Sequence, residues 1–299
     1  MNENARVGIH QAPTLGCGAK QDRPHRGGHS GDDINKGLGN AVKLLNRFLW
    51  NATRDHYLRV SSMDAGNLRN AIAREGFAIV IIPKDEQNGF EKYAAEYGKT
   101  IRDELHTTEP NLSFGIQNSS LPDSVLMPDL EFWLLNALYA CPHGVIEYSR
   151  DIPNFVETST NLASVKLNEG KIVITTSQRS SVESSKRDIL DWVGSVFNLA
   201  GAEVEQSTGY PGWKPNPDSA ILKLSVASYR KLFQQDPLVL AIHAGLECGL
   251  IGALYPGMDM VSFGPTIKGA HSPDERLDIS TTVKFWDFLV ELLKNIPAA

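Results

Sequence analysis

The chain has 299 residues, with 29 Lys and Arg against 35 Asp and Glu for a net charge of −6. That mild acidity argues against a nucleic-acid partner, which calls for a basic excess to neutralise phosphates. With 41% hydrophobic and 21% charged residues, the chain has the balance of a folded globular protein with a sizeable core. Three distant cysteines, Cys17, Cys141 and Cys248, do not make a disulfide framework. Met1–Gln21 lacks the charged, apolar and small segments of a secretory signal, so a cytoplasmic location is expected.

Residues 1–26 mix Gly, Pro, Gln and Arg without a period and are expected to form a disordered leader. From Ile34 to Asn51, Leu38, Val42, Leu45, Phe48 and Leu49 fall on one helical face, with Asp32 and Asp33 as N-cap candidates. His56–Met63 and Gly76–Ile82 read as strands, the second a continuous apolar run closed by Pro83. Phe90–Leu105 and Leu130–Tyr139 carry helical spacing. Thr160–Thr176 contains two alternating runs, NLASVKL and KIVITT, around Asn168-Glu169-Gly170, the signature of a hairpin. Val182–Leu199 is an amphipathic helix ended by Gly201.

Gly209-Tyr210-Pro211-Gly212-Trp213-Lys214-Pro215-Asn216-Pro217 reads as a rigid connector between domains. Beyond it the pattern predicts a helix (Ser219–Phe233), a strand (Val239–His243), a helix (Leu246–Leu254), a strand (Met258–Ser262) and a last helix (Thr281–Ile296). Pro237–Met258 has the length and apolarity of a membrane span. His243, Glu247 and three glycines inside it favour a buried strand, a turn and a short core helix instead, so no membrane partner is expected.

Several residues carry chemistry. Gly27-Gly28-His29-Ser30-Gly31 is no nucleophile elbow, because Asp32 stands where the second glycine is required and no buried strand precedes it. His29 is left as either an oxyanion donor or a solvent-exposed turn histidine. His271 lies on a loop after a predicted strand, with Asp274 and Glu275 nearby to orient an imidazole or to cap the last helix. Arg179 closes the second hairpin strand and is either a bidentate carboxylate grip or a solvated arginine. Asn70 is a recognition amide or a turn former, and His243 with Glu247 either face a cleft or are satisfied buried polar groups. There is no H-E-x-x-H, C-x-x-C, phosphate loop or dinucleotide fingerprint.

Three segments, GGHSGDDINKGLGNAVKLLNRFL, NLRNAIAREGFAIV and IHAGLECGL…YPGMDMVSFGPTIKGAHSPDERLDI, resemble the aminoacyl-histidine (Xaa-His) dipeptidases. These are also called cytosolic non-specific dipeptidases and belong to the carnosinase- and aminoacylase-type zinc peptidases. The resemblance runs from about Gly27 to the C-terminus. It implies an α/β protein: an α+β lid and dimerisation domain at 27–208, then a partial α/β zinc-peptidase catalytic domain at 209–299. It further implies hydrolysis of dipeptides, including Xaa-His, at two zinc ions, and a homodimer formed through the lid. His271 takes the place of a zinc ligand and His29 that of the oxyanion-stabilising lid histidine. Asn70 and Arg179 take the places of substrate-holding residues, and Glu247 lies near the site. The family's H-x-D motif and Glu-Glu pair are absent, so the chain is expected to be a truncated form, inactive alone. The alternative is a non-catalytic dimerisation or peptide-binding module.

Overall fold

The computed structural model describes residues 28–168, 170–207, 209, 211–241, 247–268 and 275–297, together with the strand backbone at 8–12 and 16–17. It divides into two compact units, Met1–Thr208 and Gly209–Ala299.

The first unit runs β1 (Gly8–Ala12), β2 (Gly16–Cys17), α1 (Ala41–Asp55), β3 (Arg59–Gly66), β4 (Gly76–Ile82), a short 3-10 turn, α2 (Gln87–Leu105), β5 (Leu112–Ser113), β6 (Gln117–Asn118), α3 (Pro128–Ala140), β7 (Gly144–Tyr148), β8 (Val156–Asn168), β9 (Lys171–Ser180) and α4 (Glu183–Leu199). Seven strands form one antiparallel sheet in the order β6-β1-β4-β3-β8-β7, with β9 along the opposite edge of β8. The expected hairpin is β8–β9, turned by Gly170 at φ 76°. Glycine takes that left-handed conformation without the steric cost of a Cβ.

The leader expectation for residues 1–26 is corrected at two places. Gly8–Ala12 pairs with β4 from Gly8↔Ile82 to Ala12↔Ala78, and Gly16–Cys17 pairs with β5. An apolar strand such as β4 would otherwise present an open row of N–H and C=O groups, and β1 satisfies it. The apolar run of β4 is also covered unequally. Ala78, Val80 and Ile82 are buried, whereas Phe77, Ile79 and Ile81 on the other face stay partly exposed.

Helix α1 begins at Ala41, not Ile34. Gly37, at φ 68°, and Gly39 interrupt the early helical spacing, and the Asn40 side chain accepts from the Lys43 amide as the true N-cap. Val42, Leu45, Phe48 and Leu49 are fully buried, so the predicted face is the packed one. Phe48 is ringed by Phe90, Tyr93, Tyr97 and Phe114 at 5.0–5.6 Å between centroids. Tyr97 also donates its hydroxyl to Leu44 O at 2.6 Å, tying α2 to α1.

The second unit contains α5 (Ala220–Phe233), α6 (Glu247–Leu254), β10 (Ile267–Lys268), β11 (Arg276–Leu277) and α7 (Ile279–Asn295). Helices α5 and α7 meet through Tyr229 and Phe288, and Phe263 packs on Phe288. The expected strands at Val239–His243 and Met258–Ser262 are corrected. Residues 239–241 and 258–262 have no ladder partner among the described residues, and His243 lies outside them. An extended segment becomes a strand only when another strand pairs with it. No described helix is long and apolar enough to cross a membrane.

Candidate functional site

His29 pairs with Ala71 in an isolated antiparallel bridge. Ser30 N–H donates to Asn70 O at 2.8 Å and Ile72 N–H donates to Gly28 O at 2.9 Å. The turn after His29 closes on itself: Asp33 N–H donates to His29 O at 3.0 Å, and His29 N–H donates to Asp33 Oδ2 at 2.7 Å. Asp33 therefore braces the histidine turn instead of capping α1.

The orientation of the imidazole follows from its partners. Gly31 N–H and Asp32 N–H both point at His29 Nδ1, each at 3.3 Å. A nitrogen that accepts two amide protons carries none of its own, so the neutral ring holds its proton on Nε2. The Asp32 carboxylate lies 3.7 Å from Nδ1, too far for a hydrogen bond that would place a proton there. His29 thus presents an Nε2–H donor from a fixed ring.

Arg179 lies beside this turn. It faces Ser159 across the β8–β9 ladder. A methyl group on Gly31 would stand 3.1 Å from the His29 ring and 3.8 Å from Arg179 Cζ, so glycine lets the two side chains approach. Burial holds the guanidinium below its usual pKa, the Asp32 charge opposes that shift and the Arg69 charge adds to it. Arg179 Nε is buried without a hydrogen-bond partner among the described residues. A fixed imidazole N–H next to a partly desolvated cation suits an anionic oxygen, either a carboxylate or an oxyanion.

Of the residues singled out from the sequence, His29, Asn70 and Arg179 are brought together. Asn70 contributes through its backbone carbonyl, in the turn just before Ala71, the residue bridged to His29. Glu247 opens α6 in the second unit with its side chain exposed. His271, His243 and Asp274 lie outside the described residues. Among the described residues no group of three or more His, Cys, Asp or Glu is placed to hold a metal ion. Asn161, which supports the site, carried no sequence signal, because it acts through contacts with distant backbone, and Asp33, expected as an N-cap, instead braces the folded turn. A cavity of about 540 Å³ beside α2, lined by Glu91, Gly98, Arg102, Phe114 and Gln117 among others, does not include the site.

The class of protein that fold and site define is an antiparallel sheet unit that brings His29 and Arg179 together, followed by a unit of three helices and a short hairpin among the described residues. The chain belongs to Peptidase family M20/M25/M40, which it matches over residues 7–295. That match begins inside the segment expected to be an unmatched leader. The chain is 40% identical over 273 residues to the cytosol non-specific dipeptidase of Escherichia coli (strain K12), covering 91% of this chain and 56% of that protein. The crystal structure of aminoacylhistidine dipeptidase from Vibrio alginolyticus superposes with a TM-score of 0.82 at 37% identity, covering 98% of this chain and 62% of that one. The chain thus spans about three-fifths of the length of these relatives.

Proposed function

We propose that this chain is the dipeptide-holding and C-terminal part of a cytosolic metallo-dipeptidase acting on substrates that include Xaa-His. Arg179 takes the terminal carboxylate of the dipeptide, Asn70 assists it, and His29 Nε2–H stabilises the oxygen of the scissile carbonyl as negative charge develops. The observation that carries this reading is the pair of amides on His29 Nδ1, which fixes the donating face of the ring beside the guanidinium.

The cofactor implied by the family is a pair of zinc ions, and the donors present do not fit it. A zinc ion takes three or more protein ligands at a catalytic site. His271 is the ligand the resemblance supplies, H-x-D and Glu-Glu are absent from the sequence, and no metal-holding group exists among the described residues. We therefore assign the metal ligands to polypeptide outside these 299 residues and expect no hydrolysis by this chain alone. The surface of the second unit supports that reading. Phe288 and Leu292 are its buried hydrophobic side chains among the described residues, while Leu240, Leu254, Ile279 and Trp286 are exposed. Large apolar side chains left exposed in this way are suited to covering polypeptide.

A homodimer through the first unit belongs to the same proposal. Exposed Phe132 and Trp133 on α3, and exposed Trp192 and Leu199 on α4, are large apolar side chains of the kind a twofold contact covers. Sedimentation showing monomer alone at high concentration would remove the dimer.

Calorimetry with Ala-His tests the binding function. Wild-type chain should bind, and Arg179→Ala should weaken binding by about tenfold or more, the worth of a charge-assisted hydrogen bond. No binding by the wild type refutes the proposed site. Turnover in zinc that is abolished by His271→Ala would refute the assignment of the metal ligands elsewhere.

A further inference from the structure

Four buried side-chain polar atoms lack a partner among the described residues: Ser30 Oγ, Asn46 Oδ1, Asn161 Oδ1 and Arg179 Nε. Three of the four residues belong to the His29–Arg179 locus or contact it. An unsatisfied buried polar group costs about 1–3 kcal/mol, so native proteins keep few of them and mostly where something other than stability requires them.

Asn161 is 1% exposed and sits on β8 opposite Ser177, two residues along from Ser159, the partner of Arg179. Asn161 and Arg179 are therefore diagonal neighbours on one face of the ladder. Asn161 Nδ2 donates to Ala71 O at 2.8 Å and to Arg69 O at 3.3 Å. Those two carbonyls flank Asn70, and Ala71 is the residue paired with His29.

We propose that Asn161 is a positioning residue for the dipeptide site, joining the strand pair that carries Arg179 to the segment that carries Asn70 and braces His29. The chemistry selects asparagine. Two carbonyls two residues apart need two N–H donors on one short side chain; aspartate has none when ionised, and serine has one. The contrast with Asn40 is informative. Asn40 places its Oδ1 on the Lys43 amide and its Nδ2 on Leu162 O, satisfying both ends as a structural cap does. Asn161 has no partner for its buried oxygen among the described residues, while its amide binds the frame of the site.

This inference rests on the dipeptide-holding reading for its purpose but not for its test. The whole chain, labelled with 15N at histidine, reports the His29 ring by long-range NMR. Wild type should show one neutral tautomer with the proton on Nε2. Asn161→Ala should show averaged ring nitrogens at His29, because the turn supplying amides to Nδ1 is released, and Ala-His affinity should fall by about tenfold. Asn161→Ser, with one donor, should lie between the two, and it carries the test if Asn161→Ala does not fold. An unchanged His29 tautomer in folded variants overturns the proposal. A changed tautomer in a chain whose wild type binds no dipeptide upholds the positioning role and refutes the dipeptide reading instead.

Discussion

His143 lies between the start of α1 and β8, where its Nδ1 accepts from Asn40 Nδ2 and from the Leu162 amide, each at 3.3 Å. Burial, with a smaller contribution from the Lys43 charge, depresses its pKa from 6.5 to about 4. Lys43 is itself held in place, donating to the carbonyls of Leu138, Tyr139 and Cys141 at 2.8 Å each, at the end of α3. In the unfolded chain the imidazole regains its ordinary value near 6.5. As pH falls below that value the unfolded state takes up a proton and the folded state does not, so stability present above about pH 6.5 is lost down to about pH 4. At about 1.4 kcal/mol per pH unit, the loss between about pH 7 and about pH 4.5 comes to roughly 2.5 kcal/mol. That is a large share of the stability of an ordinary domain. His143→Gln keeps an acceptor for both amides and cannot titrate. Urea unfolding followed by far-UV circular dichroism across this range should show wild type losing about 2.5 kcal/mol more than His143→Gln. Parallel stability curves, or a His143 imidazole that titrates near its ordinary value in the folded chain, would refute the reasoning.

Further substitutions probe the frame and the site. Gly66, at φ 67°, has the Ala163 carbonyl oxygen only 1.9 Å from where a Cβ would stand. Gly66→Ala should cost on the order of 3 kcal/mol or more in urea unfolding, and a loss below about 1 kcal/mol would contradict the packing. Glu131 is buried, accepting from Arg59 Nε at 3.0 Å and from the Val60 amide at 2.6 Å. Glu131→Ala should destabilise by about 2 kcal/mol or more, with Glu131→Gln milder because it still accepts from Val60; equal losses would count against that amide bond. Gly31→Ala brings a methyl group against the His29 ring at 3.1 Å, where the backbone tolerates alanine. It should leave the thermal midpoint within a few degrees and weaken Ala-His binding by about tenfold; unchanged affinity would show that ring placement does not matter.

Wherever a pattern repeats within a few turns or along one strand, the residues alone were sufficient. The buried stripe Val42, Leu45, Phe48 and Leu49, the strand Gly76–Ile82 and the Gly170 hairpin all arise from local periodicity and turn chemistry. His29, Asn70 and Arg179 were legible as residue types suited to anion binding, and the family wording singled them out. Their convergence was not legible, since Arg179 and His29 are joined across 150 residues of chain by strand pairing and by the space Gly31 leaves open. Folding likewise decided that Gly8–Ala12 closes the edge of β4, that α1 starts after Asn40, and that residues 239–241 and 258–262 stay unpaired among the described residues. Hydrogen bonds between distant backbone groups depend on which strand arrives opposite, and side-chain pattern within one segment does not encode that partner. The proton on His29 Nε2 is the extreme case: two amides in the folded turn, not the histidine itself, determine which nitrogen donates.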